Sequence, residues 1–245
     1  MIDMADIALS LAMLFFAGLL RGFSGFGFAI AAMPLLSLLH PPAEVVPVVM
    51  LLQLAVSLQG LRGAWAVADK PTLGRLALGA ALTTPLGLWA LAVLPAAPVR
   101  LAIAVLVGLT VAILGGGFRL SRTPRGPLVL VFGAMSGLCN GLAAMPGPPV
   151  IAMYLASPLR AEAARGAMIV LFMLTALAGL LPLALLGRID GHVGILALAG
   201  LPVVWLGSAL GAALYARSPD ERYRRVALWM LAATAVATAA RVFWN

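Results

Sequence analysis

Charge is what this chain has least of. Only 10% of its 245 residues are Asp, Glu, Lys or Arg, and just eight are acidic. No Asp or Glu falls deep in an apolar run; Glu44, Asp69, Glu162 and Asp190 all lie at run ends or in connecting segments. That leaves no acidic relay through an apolar interior. Cys139 is the single cysteine, so no intramolecular disulfide forms, and Cys139 is expected to act as a small buried hydrophobe. There is no HExxH, no Walker loop and no Cys/His ligand spacing, so neither ATP-driven nor metal chemistry is indicated, and no cofactor or metal is expected. No Lys or Arg precedes Arg21, so a secretory signal with a basic start is not expected either.

What is present is apolar length. Hydrophobic residues make up 63% of the chain and the mean hydropathy is +1.10, far above soluble proteins, which hold about 45–50% apolar residues. Period-2 alternation is absent, which argues against a β-barrel. The expected class is an all-α, polytopic membrane protein in the bacterial plasma or inner membrane. The net charge of +8 fits topogenic arginines in loops, and no segment is long enough to build a soluble basic surface for nucleic acid.

Runs at 43–61, 72–94, 98–118, 163–186, 193–216 and 224–243 are each of crossing length. Two more, 7–39 and 127–156, are broken by glycine and proline. The first reads Gly18-Leu-Leu-Arg-Gly-Phe-Ser-Gly-Phe-Gly-Phe and reaches Pro34; the second reads Gly133-Ala-Met-Ser-Gly-Leu-Cys-Asn-Gly and reaches Pro149. A shift of 115 lays Gly18 on Gly133, Gly22 on Gly137 and Pro34 on Pro149. Further echoes pair Glu44 with Glu162 and Gly87 with Gly207. The chain is therefore expected to be one transmembrane domain of two repeats, 1–120 and 121–245. Helix breaks at matching places in two membrane halves point to a transporter binding site.

Hydropathy alone counts seven or eight spans. If each broken segment crosses once, Lys and Arg divide eight against seven across the membrane, with no bias. If each is a re-entrant hairpin, twelve lie inside and three (Arg100, Arg188 and Arg241) outside, with Arg21 left in the membrane. The positive-inside rule selects the second arrangement: two hairpins, three crossings per repeat, inverted halves, both termini outside.

Arg21 is the sharpest residue. A charge at membrane depth costs roughly 2.5–3.5 kcal/mol even on the lenient insertion scale, so it must face a cavity or a partner. With no deep carboxylate to pair it, an anion site is expected; the competing reading has Arg21 snorkel to an interface. In the hairpin arrangement half-helices start near Ser24 and Asn140, offering free N–H groups and positive helix ends to an anion. Gly25, Gly27 and Gly141 let it approach the backbone. Ser136 lies across the second turn, and Gln53 is the span polar residue most suited to join the site. Close helix packing is the competing reading for Gly18 and Gly22. Gly22-Phe-Ser-Gly25 also spells the GxSG of rhomboid proteases, but His40 and His192 both sit in loops, far from the deep position a general base needs.

At these residues the chain resembles the sulfite exporter TauE/SafE family, from Gly18 to Pro34-Leu-Leu and in the partner segment of the second half. Many members carry a Gly-Gly-Gly run in each turn; here the turns read Ser24-Gly-Phe-Gly27 and Cys139-Asn-Gly141. The resemblance implies a secondary transporter, not an enzyme, that exports small anions such as sulfite or organosulfonates. Its partners would be the anion and membrane lipid, with a homodimer left open. A passive anion channel on the same scaffold, and an intramembrane serine protease at Ser24, are the alternatives. The topology is testable: a cysteine placed within 217–225 should be protected from an impermeant reagent added outside, and labelling there would refute the arrangement.

Overall fold

The computed structural model describes residues 4–24, 27–116 and 124–216. The described residues are helical throughout and contain no strand. In chain order the helices are α1 (Met4–Ser24), α2 (Phe28–Leu36), α3 (Pro42–Leu58), α4 (Leu61–Val67), α5 (Lys70–Val93), α6 (Ala96–Gly116), α7 (Pro127–Ala143), α8 (Gly147–Ala156), α9 (Ala161–Leu185) and α10 (Gly191–Ala216). Five of them, α1, α5, α6, α9 and α10, are long and apolar enough to cross a membrane. The bent pair α3–α4, turned by 73°, makes a sixth. The crossing expected over 224–243 lies outside the described residues, as does Gly25.

Local chemistry sets the boundaries. Proline occupies the first turn of α3, α5, α7 and α8, where its missing N–H costs nothing. Gly60 at φ 75° lets the chain fold from α3 into α4, and Gly187 at φ 67° ends α9. The first broken segment becomes α1 and α2, parted at Gly27 with φ 100°. The second becomes α7 and α8, parted at Ala144, which takes a left-handed φ of 51° and donates its N–H to the Asn140 carbonyl at 2.7 Å.

The two arms of each broken segment are unequal. A 21-residue α1 is about 31 Å long and a 17-residue α7 about 26 Å, whereas α2 and α8 hold nine and ten residues. The expected half-helix starts therefore move. Ser24 is the last residue of α1 and Asn140 lies inside α7; the short helices start at Phe28 and Gly147. Serine and asparagine suit an N-cap, but the glycine and proline beyond them break the chain first.

Both short helices are core. Phe28 to Pro34 are buried without exception in α2, and Met145, Val150, Ile151, Met153 and Tyr154 line the second break and α8. Their starts meet, with Gly147 against the Ile30 side chain. Leu78, Leu82, Leu86 and Trp89 of α5 and Leu198 and Leu206 of α10 point outward, as lipid-facing residues should.

Glycine fixes the helix pairs around that core. On α1, a Cβ at Gly18 would lie 2.5 Å from the Val204 carbonyl oxygen, and one at Gly22 would overlap the Ser208 carbonyl. Gly207 of α10 is backed in the same way by Phe15. On α7, Gly133, Gly137 and Gly141 lie on the backbone of Leu76, Ala80 and Thr84, while Gly79 and Gly87 of α5 lie on Leu130 and Leu138. Residue numbers rise together in both pairs, so α1 runs parallel to α10 and α5 parallel to α7. By contrast, Gly179 of α9 lies on Met50 and Gly166 on Ala64, so α9 runs against α3–α4. The polar side chains on these helices mostly bond locally: Thr84 donates to Ala80, Thr110 to Leu106 and Thr175 to Phe172.

Backbone-on-backbone contact makes these glycines intolerant. Gly137→Ala should destabilise the protein by about 2–3 kcal/mol. Gly108→Ala, with open space around the α6 glycine, should be neutral or gain up to about 1 kcal/mol in helix propensity. Thermal denaturation of the purified protein in detergent would compare the two.

Candidate functional site

Arg21 sits in the last turn of α1, 6% exposed. Its Nη2 donates to the carbonyl of Val56, in the last turn of α3. The guanidinium has no carboxylate partner among the described residues; it caps a helix C-terminus, the negative end of the α3 dipole. Arg165, exposed on α9, lies near enough to repel it. The one carboxylate paired at that end among the described residues is Glu162, 3.4 Å from Arg160.

The other expected contacts divide. Asn140 is 2% exposed and donates from Nδ2 to the Thr175 carbonyl at 2.9 Å and to Thr84 Oγ1 at 3.4 Å, tying α7 to α9 and α5. Ser136 Oγ donates to the Pro146 carbonyl at 2.7 Å across the α7–α8 break. Gln53 Nε2 donates to Ser57 Oγ at 2.9 Å, one turn along α3. Each of the three is buried and holds a protein partner. Gly141 owes its missing side chain to the Thr84 backbone. Gly27 is the left-handed residue before α2. The Ser24 side chain and Gly25 lie outside the described residues.

Arg21 and Asn140 are not bonded to one another. Asn140 comes beside Met50 through Gly179, and Arg21 reaches Val56. Those points are six residues apart on α3, about 9 Å along its axis. The start of α2 follows the break after α1. The N–H groups of Phe28, Ala29 and Ile30 precede the first backbone bond of that helix, from Ala31 to Gly27 at 3.2 Å. The facing start of α8 is a poorer donor, since Pro148 and Pro149 have no N–H.

Sequence reasoning missed the opposite end. A cavity of about 530 Å³ opens between the start of α1, the α2–α3 turn, the start of α3 and the α9–α10 connection. Its polar residues are Ser10, His40, Glu44, Arg188 and Asp190. Ser10 Oγ lies 2.9 Å from His40 Nε2, which pins both arms of the first hairpin at one end. His-Pro-Pro beside Glu44 marked a loop in sequence, and nothing in sequence said that α10 would close over it. His40 thus belongs with Ser10, fourteen residues and about 21 Å along α1 from Ser24. Ser37 Oγ and Tyr154 Oη are also buried without a hydrogen-bond partner among the described residues.

No solved structure matches this chain. The "Probable sulfite/organosulfonate exporter TauE" of Cupriavidus necator is 30% identical over 218 residues, which cover 85% of this chain and 84% of that protein. The family model described as sulfite exporter TauE/SafE matches residues 10–238, nearly the whole length. With five or six membrane-length helices among the described residues, that match places the chain in the sulfite exporter TauE/SafE family, as a multi-pass transporter of the bacterial cell membrane and not an enzyme.

Proposed function

We propose that the protein exports a small sulfur oxyanion, sulfite or an organosulfonate, by alternating access between two inverted repeats, 1–120 and 121–245. The observation that carries the reading is Arg21: a buried guanidinium whose bonded partner among the described residues is a carbonyl, with Arg165 near enough to repel it. A carbonyl leaves the positive charge unneutralised, so an arriving anion gains attraction without first breaking an ion pair. The α2 start supplies backbone donors nearby. Gln53, Ser136 and Asn140 line the same interior as positioning groups, their side-chain donors already engaged. Ser24, Gly25, Gly27 and Gly141 belong to the breaks that bring the backbone there.

Helix directions support the inverted arrangement. Corresponding helices α3 and α9 run oppositely, and each repeat lends one helix to the other in a parallel pair, α1 with α10 and α7 with α5. The two ends also differ as alternating access requires. At the His40 end the cavity is open. At the Arg21 end α4 folds back by 73° and packs on α9, with Gly166 against the Ala64 backbone. The His40 end, which holds Arg100 and Arg188, faces outside on the positive-inside rule. An inside-negative potential favours anion efflux by about 2.3 kcal/mol per charge per 100 mV.

Sulfite counterflow in proteoliposomes tests this. The parent protein should show saturable exchange. Arg21→Ala should lower it at least about 10-fold, the loss of one charge-assisted contact. Arg165→Gln, on an exposed side chain, should raise the half-saturation concentration several-fold while the protein stays folded. Flux that never saturates, with single-channel currents, would instead mark a passive channel.

A further inference from the structure

The cavity at the His40 end is built for something larger than sulfite. Sulfite has four non-hydrogen atoms and takes the room of two or three waters, on the order of 60–90 Å³. The cavity measures about 530 Å³, within the roughly 300–1,000 Å³ typical of organic ligand sites. Its polar residues are confined to Ser10, His40 and the mouth, while Leu11, Leu14, Leu36, Val48, Val193 and Leu196 form a continuous apolar wall. A bare oxyanion against that wall would lose hydration and receive nothing in return.

The mouth has charges of both signs, but they are not equally committed. Asp190 Oδ1 accepts the Val193 N–H at 2.9 Å, capping α10, and so sits on the positive end of that helix. Glu44 lies in the first turn of α3, on the positive end of a second helix. Arg188 follows the left-handed Gly187 at the end of α9, exposed, and no ion pair holds it among the described residues. His40 is held in place by Ser10 on α1. Asp190 is thus engaged at the start of α10 and Glu44 lies at the positive end of α3, while the Arg188 guanidinium and the His40 imidazole line the cavity as head-group contacts.

The geometry points to this cavity as a binding chamber for an anion with an aliphatic body, its sulfonate-type head at Arg188 and His40 and its chain along Leu11, Leu14, Val48 and Leu196. This assignment rests on the export reading and narrows its substrate to organic anions. It also places a second subsite at the far end of the molecule from Arg21. The head must be anionic, and each methylene added to the body must strengthen binding by withdrawing from water.

Equilibrium binding to the full-length protein in nanodiscs tests it, with the straight-chain alkanesulfonates from methane- to hexanesulfonate and with sulfite as probes. The expected result is an affinity that rises about three- to four-fold per methylene, with sulfite weakest. Ala199→Phe, which fills the cavity from an exposed position on its wall, should flatten that rise. Arg188→Gln should weaken every alkanesulfonate by a similar factor, about 5- to 10-fold, and leave the rise per methylene intact. Equal affinity across the series would overturn the proposal, as would a rise that survives Ala199→Phe. The same rise for uncharged 1-alkanols, unaffected by Arg188→Gln, would also overturn it, by marking an apolar pocket that lipid tails enter. Sulfite counterflow reports on export separately, so failure of this assignment is distinguishable from failure of the export reading.

Discussion

Two helices that stop inside the apolar interior impose the rest of this architecture. The chain breaks before α2 and before α8, and at each break backbone groups lose their helical partners. In lipid such groups are tolerated only where protein buries them or a cavity hydrates them. Both short helices are accordingly core, and their starts meet at Ile30 and Gly147. Surrounding them closely enough requires long helices whose backbones touch. That is what Gly18, Gly22 and Gly207 do for α1 and α10, and Gly133, Gly137, Gly141, Gly79 and Gly87 for α7 and α5. The glycines that look most like ligand-approach residues in sequence are mostly this scaffold.

The same constraint gives Arg21 its place. Because α1 runs its full 21 residues before the break, Arg21 lies at the foot of a complete helix. There it meets the end of α3, whose last carbonyls also need partners where the chain turns at Gly60 into α4. One guanidinium answers both needs: it satisfies a carbonyl at a helix end and finds a negative dipole for its own charge.

The residue spacing made the skeleton legible. The 115-residue shift located both breaks, and the crossing-length runs correspond to α3, α5, α6, α9 and α10. Arg21 stood out because charge is so rare here. Less legible were the helix starts, because Ser24 and Asn140 have the right chemistry for caps and the wrong neighbours. Asn140 went instead to a three-helix junction with Thr84 and Thr175, 56 and 35 positions away. The cavity could not be read at all. Ser10, His40, Glu44, Arg188 and Asp190 come from segments up to 180 positions apart, and each alone looks like a loop residue or a small polar group in a span.

How the positive charges are held bears on why such a path can release what it binds. An arginine locked to a carboxylate in a low-dielectric interior is a poor anion site, since the anion must displace a strong partner and strand a second charge. Arg21 rests on a carbonyl, a weaker partner than a carboxylate. Arg188 has no ion pair among the described residues, and Asp190 beside it caps the start of α10. Among the described residues, neither Arg21 nor Arg188 is paired with a carboxylate. Transport requires binding strong enough to capture an anion at one end and weak enough to surrender it at the other. In a chain this poor in acidic residues, Arg21 is held by a helix end and Asp190 by a helix start, and the ion pair among the described residues is Arg160–Glu162.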